Sequence, residues 1–518
     1  VTTGNLNTIV GGLAGDALTE GNNNVAIGYL ALSAETLGDR NVAIGNSALG
    51  VQNNTSDVDS YNVAVGHTAG AAVTTGIRNV LVGSLAGKAL QTANYNVAIG
   101  YQTLSTDDGG NYNTAIGYKA LEDYEADADG DGHNTAIGSS SQLNATTGEF
   151  NTSLGSLSMG SGVTIGDYNT ALGAEAGKAL TSGASNVFVG GHAGDAITSG
   201  GRNIAMGYAA LSTEDAHGRN TAIGHQALTT QNAGADAYNV AVGYDAGRNV
   251  TTGINNTIVG GLAGDSITTG GDNVSLGYNS LGSNTIGNEN VAIGKDSMGV
   301  NVAADRNVAV GAFALQNMTS ATTVDTYNTA VGYSAGNAMT SGVNNTIVGG
   351  LAGVAMTTAI QNTALGYFAL STNIDGDNNT AVGFKALQDF EADTDGHGNN
   401  TAIGASAMLN ASTGTENTAL GTLAMGTGVT TGNSNVAIGY QSGHALTSGS
   451  ENITIGQGAG DALTTGNRNV AVGHAALSTE DAHGKNVAIG YLSLLNLDAG
   501  ADGFNTAVGC ESGKTMTT

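Results

Sequence analysis

The sequence predicts an all-β chain folded as a parallel β-solenoid, or β-roll, of about 29 coils with a 17-residue period. Three observations carry this reading. The first is a motif of Asn, a small or β-branched residue, any residue, a large aliphatic and Gly. It recurs in 29 copies from Asn7-Thr-Ile-Val-Gly11 to Asn505-Thr-Ala-Val-Gly509. Of the 28 intervals between successive motif asparagines, 20 are 17 residues, four are 21, two are 18 and two are 19. The second is the alternation inside the motif, which has the period of a short strand and not of a helix. The third is composition. The chain holds 83 Gly and no Pro, yet 40% of it is hydrophobic, which excludes collagen and a disordered tail alike.

Each element of the coil follows in turn, counting the motif Asn as position 1. Asn can hydrogen-bond the coils on either side as a ladder and tolerates the left-handed backbone, so it is expected at a corner. Position 2 is always Val, Thr or Ile and position 4 always Ile, Val, Leu or Met. Both are expected to point into the coil's own core, where each buried aliphatic contributes roughly 1.5–3 kcal/mol. Position 3 is usually Ala, with Ile9, Leu81, Phe188, Ile258 and Ile347 among the exceptions. It is expected to face the other way, onto a second packed surface. Position 5 is Gly in every coil, and position 8 is Ala, Ser or Thr in every coil. A second short strand is expected in stretches such as Gly264-Asp-Ser-Ile-Thr-Thr-Gly270. With parallel strands about 4.8 Å apart, 29 coils would make a rod on the order of 140 Å long.

A longer repeat lies above the coil. Ser212-Thr-Glu-Asp-Ala-His217 returns unchanged as Ser478 to His483, and the super-repeat divides the chain into residues 1–249 and 250–518. Val1-Thr-Thr-Gly4 matches Val250-Thr-Thr-Gly253, and Thr517-Thr518 matches Thr251-Thr252. Both ends therefore fall at one phase of a coil, and the same array is expected to continue beyond each.

Acidic residues outnumber basic ones 42 to 14, a formal charge of −28. Such a surface repels nucleic acid and anionic lipid and favours divalent cations. No run of 18 apolar residues is present to insert in a membrane. One cysteine, Cys510, cannot form an intrachain disulfide, and no His–carboxylate pair in the sequence marks it as a nucleophile. Duplicated coils, with no catalytic acids breaking the period at one cleft, argue against an enzyme.

The four 21-residue coils carry extra residues at 50–61, 122–133, 316–327 and 388–399, and insertions in a solenoid bulge outward where function usually sits. One holds Asp127, Asp129 and Asp131 at every second position, with Gly130 and Gly132 between and after them; its later counterpart keeps Asp393 and Asp395. This spacing suits the first half of a Ca²⁺ loop, although no bidentate Glu follows, and a solvated acidic loop is the alternative. His217 and His483 read as exposed loop residues. Tyrosine recurs at position 6 (Tyr29, Tyr101, Tyr118, Tyr208, Tyr244, Tyr278, Tyr333, Tyr367, Tyr440, Tyr491), either as a stacked structural ladder or as a carbohydrate-binding stripe.

The repeated Asn24-Val-Ala-Ile-Gly28 resembles the repeats in the heads of trimeric autotransporter adhesins of the Yersinia adhesin type. Longer coils such as Asn113 to Leu121 are similar to those of bacterial and phage tail-fibre-like proteins. The resemblance implies a left-handed β-roll, commonly three chains side by side, in an extracellular or virion fibre. The coils here are longer than those of the adhesin heads. The expected function is a structural and adhesive fibre segment that self-associates and attaches to a host, prey or surface receptor, glycans included. An ice- or polysaccharide-binding solenoid is the alternative. If the aspartate loops hold Ca²⁺, a chelator lowers the melting temperature, and an unchanged melting curve retires the metal.

Overall fold

The computed structural model describes residues 2–126, 132–320, 322–391 and 398–517. They fall into two compact units, Val1–Asn256 and Thr257–Thr518. In the first unit, 14 three-residue strands run from Thr8–Val10 to Val240–Val242; in the second, 15 run from Thr257–Val259 to Thr506–Val508. Within each unit every strand pairs in parallel with that of the next coil, as in Val97↔Thr114, Ala98↔Ala115 and Ile99↔Ile116. Motif position always meets the same motif position. This is an all-β parallel solenoid of about 29 coils, with no helix among the described residues.

The motif Asn explains why the register is so strict. It is buried throughout the described coils apart from the first and last, and its side chain works in two directions. The backbone N–H of Asn24 donates to Oδ1 of Asn7 at 2.8 Å, that of Asn41 to Oδ1 of Asn24 at 2.8 Å, and the pattern continues to Asn256 on Asn239. Meanwhile Asn24 Nδ2 donates to the carbonyl of Gly38 across its own coil, 2.9 Å away. The expected ladder is therefore present. The expected left-handed Asn is not, because the positive φ belongs to the residue immediately before it, such as Arg78 (φ 60) or Tyr95 (φ 61). Asn has to keep an extended backbone to enter the strand, so the turn is made one residue earlier.

Position 5 must be Gly for two reasons that coincide. At Gly28 φ is +131, and a Cβ there would lie 2.6 Å from the carbonyl oxygen of Gly45 in the next coil. Any side chain would push the coils apart.

The strand faces are the reverse of the expectation. Position 3 is the inward residue: Ala26, Ala43, Ala98, Ala115 and Phe188 are fully buried. Positions 2 and 4 face outward and are half-buried or exposed, with Leu154, for example, at 51%. The reason is space. A 17-residue coil encloses a narrow interior, filled by position 3, the small residue at position 8 and one or two larger side chains. A larger side chain comes from position 9 in some coils (Leu32, Leu49, Leu104) and from position 12 in others (Leu18, Val73, Leu90), where position 9 is Gly.

The large residues at position 3 obey the same rule. Phe188 lies between Gly177 and Gly194, whose added Cβ atoms would fall 2.6 and 2.5 Å from its ring. Leu81 lies likewise between Gly70 and Gly87, at 2.7 and 2.8 Å. These exceptions fill space that Gly leaves inside; they do not form a second outer surface.

The expected second strand over residues 264–270 is absent. That stretch consists of turns and bends whose amides reach the next coil, as in Thr268 N–H to the Thr285 carbonyl at 2.8 Å. One two-residue pair, Ala304–Asp305 with Val324–Asp325, forms elsewhere.

Replacing inward Ala115 by Asp buries an unpaired charge and should cost about 4 kcal/mol or more. Hydrogen exchange should then show lost amide protection in Val97–Ile99, Thr114–Ile116 and Thr135–Ile137. Ile116→Asp, on the outer face, should leave that protection in place; equal losses in the two variants would refute the assignment of faces.

Candidate functional site

Within each unit the outward face of the strands repeats the same residue types from coil to coil. None of the 29 coils places a charged residue at position 2 or position 4, in a chain with 56 charged residues (42 acidic and 14 basic). The two columns hold Val, Thr or Ile beside Ile, Val, Leu or Met. Leu276 (43%), Leu365 (45%) and Leu420 (44%) show how open the second column is.

Two aromatic columns flank this face in chain order, one at position 6 and one at the residue before the motif Asn. The tyrosines expected at position 6 stack in part: Tyr101 on Tyr118 at 5.8 Å, and Tyr208, His225 and Tyr244 at 5.5 and 5.2 Å. Where position 6 is Gly, the next coil's tyrosine lies against it, as Tyr29 does against Gly12.

No single residue type marks the second column in the sequence. Eight successive coils end in Arg40, Tyr61, Arg78, Tyr95, Tyr112, His133, Phe150 and Tyr168. The last five stack at 4.8–5.1 Å with interplanar angles of 5–12°. Arg40 lies over the Tyr61 ring and Arg78 over that of Tyr95. In such columns each ring covers its neighbour's face, leaving edges and hydroxyls to solvent.

The cations of the pre-motif column are largely neutralised within the chain. Arg219 pairs with Asp236 at 2.7 Å, Arg468 with Glu451 at 2.8 Å and Lys485 with Asp502 at 2.6 Å. The last two pairs line a shallow polar cleft together with Asn467.

The twin Ser-Thr-Glu-Asp-Ala-His stretches bring their acids and imidazole together. Glu214, Asp215 and His217 place one ligand-type atom each within 4.8 Å of one another, as do Glu480, Asp481 and His483. The glutamates are wholly buried, and their Oε1 atoms lie 3.5 and 3.3 Å from the histidine Nδ1 atoms. The two histidines are partly buried against these acids and not simply exposed. Burial pushes the Glu214 carboxyl above its ordinary range, against the opposing pull of the His217 N–H and the His217 charge.

A structural role accounts for these glutamates. Where position 9 is Leu or Met, position 12 is commonly polar, and its oxygen accepts the N–H three residues on. Gly38 donates to Glu35 at 2.8 Å, Gly110 to Asp107 at 2.9 Å, Gly287 to Asn284 at 2.9 Å, Gly376 to Asn373 at 2.9 Å and His483 to Glu480 at 2.9 Å. Position 12 is thus an internal turn cap where it is Glu, Asp or Asn.

Asp127, Asp129, Asp131, Asp393 and Asp395, the candidate Ca²⁺ ligands, lie outside the described residues. Cys510 is a free, exposed thiol. No protein-family model matches the chain, and no curated protein matches it.

Asp107, like Glu214, is a cap whose second carboxylate oxygen is buried without a hydrogen-bond partner. Burial pushes its carboxyl from 3.8 up to about 6, although N–H groups of Gly110, Ala126 and Gly109 pull the other way. Its Oδ2 has no hydrogen-bond partner, whereas Asn284 and Asn373 use their Nδ2 in that place to donate to the carbonyls of Gly287 and Gly376. An acid whose folded value is raised holds its proton more tightly when folded. The contribution of Asp107 to stability is therefore greatest below about pH 4 and falls as pH rises to about 6, a loss of about 3 kcal/mol. Asp107→Asn should recover up to that amount at pH 7 and nothing near pH 4, as measured by denaturant unfolding at the two pH values.

Proposed function

We propose that the chain is a structural and adhesive fibre segment, extracellular, on a cell surface or in a virion fibre, whose copies pack side by side along the outward strand columns. One observation carries this reading: an aliphatic and threonine face, free of charge in every coil, on a chain of net charge −28. Monomeric proteins rarely leave a contiguous apolar face of more than a few hundred Å² open to water. A second copy offers the same columns at the same spacing, so each coil meets its equivalent. The packed surface is therefore positions 2 and 4, and not position 3. Three chains per assembly follows from the resemblance to trimeric adhesin heads. Attachment to a host, prey or surface receptor is assigned to the long loops, which leave the columns unbroken. The role is mechanical and not catalytic.

An ice-binding reading gains one point from the outward direction of position 2, because Thr329, Thr346, Thr363, Thr380, Thr401 and Thr418 form an outward run of six. It remains the weaker reading. Threonine fills one column only, an aliphatic column stands beside it, and valine interrupts it over Val25–Val97 and again from Val436.

Sedimentation should report a homo-oligomer for the unmodified chain. A triple variant with Ile99→Asp, Ile116→Asp and Ile137→Asp should shift toward monomer while retaining its β circular-dichroism spectrum. A stable, soluble monomer of the unmodified chain would overturn the reading.

A further inference from the structure

Among the stacked aromatic pairs, one brings two phenols into close and nearly parallel contact. Tyr95 and Tyr112 occupy the pre-motif position of successive coils, with φ values of 61 and 59. Equal backbone geometry one rung apart sends both side chains the same way. Their ring centroids are 4.9 Å apart and their planes differ by 5°. Both rings are reachable from solvent, at 38% and 50% exposure. The stack continues with groups that cannot form the same bond. Arg78 lies over Tyr95 and donates to its hydroxyl oxygen, and His133 stacks on the far side of Tyr112 at 4.8 Å.

We propose that Tyr95 and Tyr112 are a site of oxidative coupling, forming an intrachain dityrosine that staples two adjacent coils. The oxidant is hydrogen peroxide acting through a haem peroxidase. Each phenol gives up one electron and its phenolic proton to become a phenoxyl radical. The two radicals join through a new bond between ortho ring carbons. The hydrogen on each of those carbons then moves to the phenolic oxygen, restoring both aromatic rings. The pair loses two hydrogen atoms in total, and one hydrogen peroxide becomes two waters.

The consequence follows from how a solenoid fails. Coils are held to their neighbours by hydrogen bonds and packing, and opening proceeds by parting one coil from the next. With Cys510 as its one cysteine, the chain cannot form an intrachain disulfide to prevent this. A carbon–carbon link between neighbouring coils supplies that restraint. The pair Tyr101 and Tyr118 is the internal comparison, because it is exposed as well but stands 5.8 Å apart with an 11° angle.

The test exposes the full chain to a haem peroxidase and hydrogen peroxide, followed by digestion at aspartate. Cleavage at Asp107 and Asp108 separates Tyr95 from Tyr112, so a surviving link is seen as two joined peptides lighter by two hydrogens than their sum. Fragmentation should place the link at Tyr95 and Tyr112, with dityrosine fluorescence. Tyr95→Phe and Tyr112→Phe, which keep the stacked ring, should each lose link and fluorescence; Tyr101→Phe should keep both. No link, a link that survives Tyr95→Phe, or products that are mainly covalent dimers of the chain would overturn the proposal.

Discussion

Every coil of this protein depends on the coil after it for its polar backbone. The strand amides bond forward and back, and the motif Asn closes the one corner where a strand ladder cannot. Its Oδ1 takes the N–H of the next Asn while in most coils its Nδ2 holds its own coil's far turn, as in Asn452, which donates to the Gly466 carbonyl at 2.8 Å. The net gain per hydrogen bond is about 1 kcal/mol, but a buried donor left without its acceptor costs about 1–3 kcal/mol. That asymmetry makes the ladder intolerant of a missing rung. Aligned amides in a low-dielectric interior also polarise one another, so the column acts together. The identity of position 1, the absence of a side chain at position 5 and the fixed register all descend from this constraint.

Inside that frame the core is governed by volume. A coil admits only one or two large side chains besides its small ones, and the chain fills this space in different ways. Leu at position 9 goes with a polar cap at position 12 in some coils, as with Leu104 and Asp107, and with a second buried apolar side chain in others, as with Leu121 and Tyr124; Gly at position 9 goes with an aliphatic at position 12, as with Gly87 and Leu90. Placing Phe188 or Leu81 at position 3 requires Gly on both sides. Small inward hydroxyls also pair with one another where Ala is replaced, as Ser275 does with Ser280 at 2.6 Å. The interior is thus close-packed by exchange between positions, in the manner expected of protein cores.

Period, coil number and parallel pairing were legible in the sequence because each depends on spacing alone. The direction of the strand was not. The larger and more apolar residues sit at positions 2 and 4, and the usual expectation sends such residues inward. Here the coil is too narrow to hold them, and Ala115 takes the interior while Ile116 takes the outside. The turn before the motif escaped notice for a related reason. Its left-handed residue varies among Arg, Tyr, Asn, Glu and others, so no residue type marks it, and the aromatic column built there is visible only once coils of 17, 18, 19 and 21 residues are laid in register. The position 12 caps were hidden likewise, since Glu35, Asn284 and Asp107 share a role without sharing a residue.

The placement of the insertions follows from the same geometry. Extra residues fall after position 9 and before the next motif, as in residues 50–61, where Gln52 and Asn54 still bond the Glu35 carboxylate at 2.9 and 3.0 Å. The following strand, Val63–Val65, pairs in unbroken register with Val42–Ile44 despite the 21-residue interval. Loop length therefore changes without moving columns 2, 4 and 6. A surface held constant across coils can meet another copy of itself, while loops that vary can meet something else. Separating the two on one short coil lets the repeat be duplicated, as Ser212 to His217 and Ser478 to His483 show, with no cost to the face that every coil must share.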